Sequence, residues 1–464
     1  MLFSGIPFLF YFLPAVLIFY FLLPQKARNG CLLLFSLIFY AWGEPVYIFL
    51  MIASIVSGYF LARGIEKYRK STIGNICFFL AVAISLSALG FFKYFDFVTG
   101  SINSFTGLNL PILKIALPIG ISFYTFQLLS YVIDVKRGDV PAQKNIIDLA
   151  CYITMFPQLI AGPIVRYSDI LTELNERTHS FERASLGIRR FVMGLSKKVL
   201  IANTLGELCD VFRETNEVSV VFYWMYALCT ALQLYFDFSG YSDMAIGIGH
   251  IFGFHFIENF NYPFISKSIA EFWRRWHMSL GSWFRDYVYI PMGGNRVKPL
   301  RWFFNILTVW MLTGLWHGAA WNFVVWGLYF AFFLVIEKLF LSKLLEKSVV
   351  LSHIYVIITV LISFVIFSSP DIPTAGYEIK ALLGLSDIPF ITNETMYYLK
   401  SYAFLICLAL IGSTPFVKTV AEKVSIKWEK AVNVLEVPVL FALFVISVAY
   451  LVDGSFNPFL YFRF

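Results

Sequence analysis

Residues 31–62 read CLLLFSLIFYAWGEPVYIFLMIASIVSGYFLA, with one charge, Glu44, among them. A membrane-spanning helix needs about 20 apolar residues. The run is too long for one such helix, and Gly43-Glu44-Pro45 divides it into two helices joined by a tight hairpin. Lys26 and Arg28 precede it, and Arg63, Lys67, Arg69 and Lys70 follow. Basic residues collect on the cytoplasmic side of membrane proteins, so both ends of the hairpin are read as cytoplasmic.

The remaining sequence has the same character. Of 464 residues, 59% are hydrophobic, 19% aromatic and only 14% charged, and the mean hydropathy is +0.73. Soluble domains carry about 25% charged residues. This composition excludes a soluble enzyme and a disordered scaffold and leaves an all-α polytopic membrane protein, with room for about ten to thirteen spans. The formal charge of +7 reflects basic cytoplasmic loops facing lipid headgroups, and no nucleic-acid partner is expected. The six cysteines form no C-x-x-C pair and read as small buried hydrophobes. The triplet Asn393-Glu394-Thr395 is a chance sequon.

Working outward, Ile6 to Leu23 reads as an uncleaved first span, and Gly74 to Phe97 as another, followed by a polar loop from Thr99 to Asn109. Leu113 to Val135 is the next. Cys151 to Val165 is apolar but contains Pro157, Gly162 and Pro163, so it is either a re-entrant element or a proline-kinked span. A charged segment runs from Arg166 to Lys198. Apolar helices are expected over 219–236, 244–254, 302–316, 319–336, 354–367, 398–411 and 434–450, with 369–395 as the longest external loop. No repeat or linker divides the chain. It reads as one integral-membrane domain over 1–464, with a core at 110–340 and C-terminal helices and an aromatic tail at 350–464.

Ionisable groups inside apolar helices are costly and mark functional sites. His317 lies in Met311-Leu-Thr-Gly-Leu-Trp-His-Gly-Ala-Ala-Trp-Asn-Phe323, apolar for more than a turn on both sides. Helical spacing puts Thr313, His317 and Trp321 on one face. Gly314 and Gly318 let a second backbone or a substrate chain approach, and Asn322 adds a polar group. His277 lies in a Trp- and Arg-rich segment, Glu271 to Tyr287, whose spacing aligns Arg274, His277, Gly281 and Arg285 opposite Phe272, Trp276, Leu280 and Trp283. That is an amphipathic interfacial helix with a histidine on its polar stripe. His250 and His255, five apart with no completing carboxylate, read as structural, and no metal site is expected. Asp237 and Asp243 could pair with the arginines of the Trp-rich helix, or could flank a helix-breaking turn. The chain ends Phe456-Asn-Pro-Phe-Leu-Tyr-Phe-Arg-Phe464, an aromatic anchor in which composition alone does not single out Tyr461.

Trp273-Arg-Arg-Trp-His277-Met-Ser-Leu280, Trp283-Phe-Arg-Asp-Tyr287 and Gly314-Leu-Trp-His317-Gly318 resemble the membrane-bound O-acyltransferase (MBOAT) superfamily. Met1-Leu-Phe-Ser4, Phe39-Tyr-Ala-Trp-Gly43, Phe156-Pro-Gln-Leu-Ile-Ala-Gly-Pro163 and Tyr235-Phe-Asp-Phe-Ser-Gly-Tyr241 resemble its bacterial alginate O-acetyltransferase branch, in order along nearly the whole chain. The resemblance implies a bundle of about 11 to 13 helices, some re-entrant or interfacial, around a central funnel. It implies His317 and His277 as the catalytic pair, with Asn322, Thr313, Arg274, Arg285 and Asp237 as possible substrate or oxyanion support. The related teichoic acid D-alanyl transferases use a separate subunit whose C-terminus resembles Phe459-Leu-Tyr461-Phe-Arg-Phe464. That makes Tyr461 a possible acyl relay, although leucine stands where the subunit motif has proline. No permanently bound cofactor is implied. The donor would be acetyl-coenzyme A or an acyl carrier protein thioester on the cytoplasmic side. The acceptor would be an extracytoplasmic polysaccharide or a secreted esterase-like acetyltransferase partner. D-alanyl transfer to teichoic acid, a proton-coupled transporter and a scaffold of a polymer-export complex are the competing readings.

Overall fold

The computed structural model of the protein describes residue 1, residues 3–215, residues 218–454 and residue 459. Among these residues, helix is the only regular secondary structure. The chain packs as two compact units, Met1–Phe191 with Tyr241–Ile257, and Val192–Gly240 with Glu258–Phe464, although the sequence shows no boundary at those junctions.

The helices of the N-terminal part are α1 (Leu13–Leu22), α2 (Arg28–Ala41), α3 (Ile48–Lys67), α4 (Thr72–Leu89), α5 (Phe95–Thr106), α6 (Ile121–Arg137), α7 (Ile146–Thr154), α8 (Phe156–Leu159), α9 (Tyr167–Asn175) and α10 (Phe181–Ser196). The hairpin of residues 31–62 is present, with α2 and α3 separated by the turn at 42–47. A π-helical turn, Gly90–Tyr94, joins α4 to α5. The helix therefore continues to Thr106, past the start of the loop expected at Thr99. The helix expected from Leu113 begins only at Ile121. Pro118 and a left-handed Gly120 (φ 75°) delay it, and the Asp96 carboxylate holds the intervening non-helical backbone through the Leu113 and Ile115 amides, both at 2.8 Å. Residues 151–165 are buried throughout and contain α7, the one-turn α8 and irregular backbone. Of the two readings of this segment, the structure favours the broken, protein-enclosed one, because α8 is too short for a kinked span.

The helices that follow are α11 (Thr204–Glu214), α12 (Val220–Ile251), α13 (Ile269–Arg275), α14 (Met278–Phe284), α15 (Pro299–His317), α16 (Trp321–Ile336), α17 (Ser342–Leu345), α18 (Val349–Ser368), α19 (Ile372–Leu382), α20 (Asn393–Gly412) and α21 (Phe416–Asp453). Two expectations are corrected here. The runs at 219–236 and 244–254 form one uninterrupted helix, α12, so Asp237 and Asp243 lie inside it and flank no turn. Each acid has a partner elsewhere than the Trp-rich segment: Asp237 pairs with Lys198 and Asp243 with Arg190. The expected external loop contains α19.

Among the described residues six segments are long and apolar enough to cross a membrane: Ile48–Lys67, Thr72–Thr106, Trp321–Leu345, Val349–Ser368, Asn393–Gly412 and Phe416–Asp453. This is fewer than the composition allowed. Helices such as α6 are short and carry Gln127, Ser130 and Asp134, all buried by neighbouring protein. The core of the second unit is aromatic and aliphatic, joining α12, α13, α16 and α18 through residues such as Leu232, Phe272, Trp326 and Phe364.

Candidate active site

His277 stands at a break between helices. The expected amphipathic helix is two short ones, α13 and α14, and His277 between them is left-handed, with φ 45° and ψ 52°. A non-glycine residue held in this region is strained, and such strain collects at functional sites. The break is stabilised by the preceding loop: the Asn259 carbonyl accepts the Met278 N–H at 3.0 Å. The Ser268 hydroxyl and the Glu337 carboxylate cap the start of α13, on the amides of Glu271, Ile269 and Ala270. Phe272, Trp276, Leu280 and Trp283 are buried as expected, and His277 itself is only 1% exposed.

His317 is the last residue of α15, where extended Gly318 ends the helix. Trp321 opens α16 and is exposed. It therefore does not share a helical face with His317 and Thr313, as uninterrupted helical spacing would have required. Gly314 acts as expected, but toward protein. A Cβ there would come within 2.2 Å of the Phe323 carbonyl oxygen, and a Cβ on Gly327 within 2.2 Å of the Trp310 carbonyl oxygen. Only glycine allows α15 and α16 to touch backbone to backbone. This contact fixes the end of α15, and His317 with it.

The two imidazole rings are 6.4 Å apart, centroid to centroid. Trp316 lies 5.7 Å from His277 and 5.0 Å from His317. Phe238 closes on His277, and Trp326 and Phe367 on His317, at 4.7–5.3 Å. The structure thus brings together two histidines 40 residues apart in sequence, inside an aromatic enclosure.

One cavity opens on His277, and a second is lined by Phe367, which packs on His317. The first, of about 390 Å3, is lined by His277, Thr313, Arg274, Arg285 and apolar side chains, including Trp273 and Trp310. Both arginines are exposed at its edge. Arg285 forks onto Asp286 at 2.7 and 3.0 Å. The Thr313 hydroxyl donates back to the Val309 carbonyl at 2.8 Å. The other cavity, of about 700 Å3, is more polar, and Asn322, Arg213, Asp210, Tyr223, Tyr226 and Glu378 line it together with Phe367. The Asn322 Nδ2 donates to the carbonyls of Ser369 at 3.1 Å and Phe367 at 3.4 Å. Both hydrogens are occupied, so the amide offers its Oδ1, an acceptor, and that oxygen has no hydrogen-bond partner among the described residues. An oxyanion needs a donor, and the donor end of this amide faces the two carbonyls.

Asp237 lines neither cavity. It is 3% exposed, as is its partner Lys198, and the ring of buried Phe459 lies 4.8 Å from the Lys198 ammonium. Tyr461 lies outside the described residues. Among the described residues no group of three or more His, Cys, Asp or Glu could hold a metal ion. His255 bonds to Glu173 through its ring and its backbone N–H, the structural role expected for it. Sequence reasoning missed Asn259, which is buried and whose Oδ1 lies 3.2 Å from the His277 Nδ1. It sits in a loop 18 residues upstream, and nothing in its own neighbourhood marks it.

Residues 141–372 match the model of the MBOAT, membrane-bound O-acyltransferase family. This segment contains both histidines, the residues lining the first cavity, most of those lining the second, and Arg213, Arg274 and Arg285. The chain belongs to the membrane-bound O-acyltransferase family. It is 37% identical over the full length of both chains to "Probable alginate O-acetylase AlgI" of Pseudomonas putida. It is 33% identical to the peptidoglycan O-acetyltransferase of Helicobacter pylori, over 84% of this chain and 81% of that one. Teichoic acid D-alanyltransferase of Bacillus subtilis is 32% identical over 58% of this chain and 70% of its own. As a member of this family the protein is a membrane O-acyltransferase.

Proposed function

We propose that the protein takes an acetyl group from a cytoplasmic thioester and delivers it across a bacterial cytoplasmic membrane, in which the chain is multi-pass, for O-acetylation of a cell-surface or exported polysaccharide. The observation that carries this reading is the buried histidine pair, with His277 opening on an apolar, arginine-edged cavity and His317 packed on Phe367, which lines a polar one. The full-length likeness to a probable alginate O-acetylase supports acetyl and polysaccharide. The shorter match to the D-alanyltransferase gives D-alanyl transfer less support.

Charge supports the direction. Lys298 and Arg301 open α15, Lys338, Lys343 and Lys347 lie between α16 and α18, and Lys418 and Lys423 open α21. By the positive-inside tendency these ends are cytoplasmic. The opposite end of α18, Ser368 to Pro370, lines the polar cavity, so that cavity is the external one. Acetyl-coenzyme A and a carrier-protein thioester share a phosphopantetheine arm. The first cavity suits it, with an apolar wall for the arm and Arg274 and Arg285 for phosphate.

In the reaction, the acceptor oxygen bonds to the thioester carbonyl carbon and the carbon–sulfur bond breaks. His317, neutral, takes the hydroxyl proton as general base and returns it to the departing sulfur. Asn322 Oδ1 accepts a hydrogen bond from the acceptor side. Tyr461 serves as a relay: its phenol is the acceptor in this step and becomes an acetyl ester, and a hydroxyl of a secreted esterase-like partner then takes the acetyl group, breaking that ester and returning its proton to the phenol. What supports the relay is Phe459, two residues earlier, on the Lys198–Asp237 pair. Asp237 is one helical turn from Gln233, which lines the polar cavity.

Membranes carrying wild type or His317→Ala, given radiolabelled acetyl donor and the host's surface polysaccharide, test the reading. Label should reach the polymer only with wild type. Equal labelling by His317→Ala removes His317 from the chemistry. Mass spectrometry of trapped enzyme should find acetyl on the C-terminal peptide, and its absence counts against the relay.

A further inference from the structure

Two roles are open to His277, a donor to the oxyanion or an acceptor that orients the substrate, and its ring cannot fill both while neutral. Which one it fills depends on the nitrogen that carries the proton, and Asn259 bears on that. The side-chain oxygen of Asn259 accepts the backbone N–H of Ser279 at 3.3 Å and the Ser279 hydroxyl at 2.9 Å. A backbone N–H can only donate, so the atom facing it is the amide oxygen, which fixes the orientation of the amide. That same oxygen lies 3.2 Å from His277 Nδ1. A carbonyl oxygen can only accept, so Nδ1 carries the hydrogen. In a neutral imidazole Nε2 then carries a lone pair.

We propose that Asn259 is a positioning residue that holds His277 as the Nδ1–H tautomer, so that Nε2 works as a hydrogen-bond acceptor for an N–H or O–H of the substrate and never as a donor to the oxyanion. The amide N–H groups of a phosphopantetheine arm in the adjoining cavity are the chemical class that fits such an acceptor. The tautomer is independent of the proposed acetyl transfer, but the role of His277 in transfer rests on that reading.

The surroundings keep the ring neutral. His277 lies between α13 and α14, outside the six spanning segments, and burial pushes its pKa down to about 3. The other titratable and charged groups on the elements packed around it are His317 on α15, Asp237 on α12, neutralised by Lys198, and on its own segment Arg274, Arg285 with Asp286, and Arg275, which pairs with Glu271. The carboxylates among them would favour the imidazolium, and each is already paired: Asp237 with Lys198, Asp286 with Arg285 and Glu271 with Arg275.

The test has two arms on the full-length protein in nanodiscs. In the first, histidine is 15N-labelled and the His277 signals are assigned by their loss in His277→Gln. At pH 7 wild type should show a pyrrole-type Nδ1 and a pyridine-type Nε2. A protonated Nε2, alone or with Nδ1, overturns the proposal. The second arm is the pH profile of acetyl transfer by Asn259→Asp. A carboxylate beside Nδ1–H favours the imidazolium and raises the His277 pKa, which puts a proton on Nε2 at neutral pH. The acid limb should move to higher pH. Once the limb lies above pH 6, the ratio of the rate at pH 6 to that at pH 9 should fall about tenfold for every further whole pH step it moves. A profile superimposable on wild type overturns the proposal, because a merely structural asparagine would lower the rate without moving the limb. If Asn259→Asp fails to fold, the spectrum of wild type still decides. If wild type transfers no acetyl group, the functional reading fails while the tautomer stands or falls on its own spectrum.

Discussion

Gly314 on α15 and Gly327 on α16 meet so closely that a Cβ built on Gly327 would lie 3.4 Å from the Gly314 Cα, besides striking the Trp310 carbonyl oxygen. Both helices lose their freedom to slide at this point, three residues before His317. Gly327→Ala should separate them, with an overpacking cost of about 1–3 kcal/mol. Acetyl transfer should fall at least as far as thermal stability would suggest, because His317 moves with the end of α15. Gly376→Ala is the control. Its Cβ would meet nothing within 4 Å, and both the melting temperature in detergent and the transfer rate should stay at wild-type values.

Lys198 and Asp237 form a buried pair on α12 and the π-helical turn Lys197–Asn203. Removing one partner leaves an uncompensated buried charge, which costs about 3–5 kcal/mol. Lys198→Met alone should therefore lower the melting temperature sharply. Adding Asp237→Leu should restore much of it. A double variant no more stable than the single one would mean that the pair is not the source of the loss.

Arg274 and Arg285 stand at the edge of the arginine-lined cavity, and Arg285 already has Asp286 for a partner. Arg274→Gln should thus raise the KM for the thioester donor more than Arg285→Gln does, by about three- to tenfold, with kcat nearly constant, as for uniform binding. The difference should shrink as salt is added. Steady-state kinetics at two ionic strengths measures both effects.

The amide hydrogens of Asn322 point at two carbonyl oxygens. Asn322→Asp would turn a carboxylate toward them. It should therefore be more damaging than Asn322→Ala, both to thermal stability and to transfer. The opposite order would show that the amide is held some other way.

Much of the fold and part of the site are legible in the amino-acid sequence. The hairpin at 31–62 follows from length and one Gly-Glu-Pro turn, because both signals are local. His317 stands out as an ionisable group in an apolar run, and Arg274 and Arg285 as cations near His277. What is not legible depends on distant partners. The helical pattern across Glu271 to Tyr287 is continuous, but the chain breaks at His277 because Asn259 and Glu337, from other elements, hold its two halves. Asp237 reads as a helix breaker, yet Lys198 neutralises it and α12 continues through. Asn322 is visible as a polar group beside His317, but only its carbonyl neighbours decide whether it donates or accepts.

The last helix, α21, kinks at Trp428, contains Pro438 and buries only Ser447 among its 38 residues. Ser447 reaches Ser196 at 3.4 Å. Little of its surface is covered by the rest of the described chain, so the peptide link from α20 contributes tethering more than packing. Expressed as two polypeptides divided between Gly412 and Phe416, the protein should reassemble in the membrane and regain activity. In this sense α21 is a detachable component, and its attachment can be titrated by the relative expression of the two pieces.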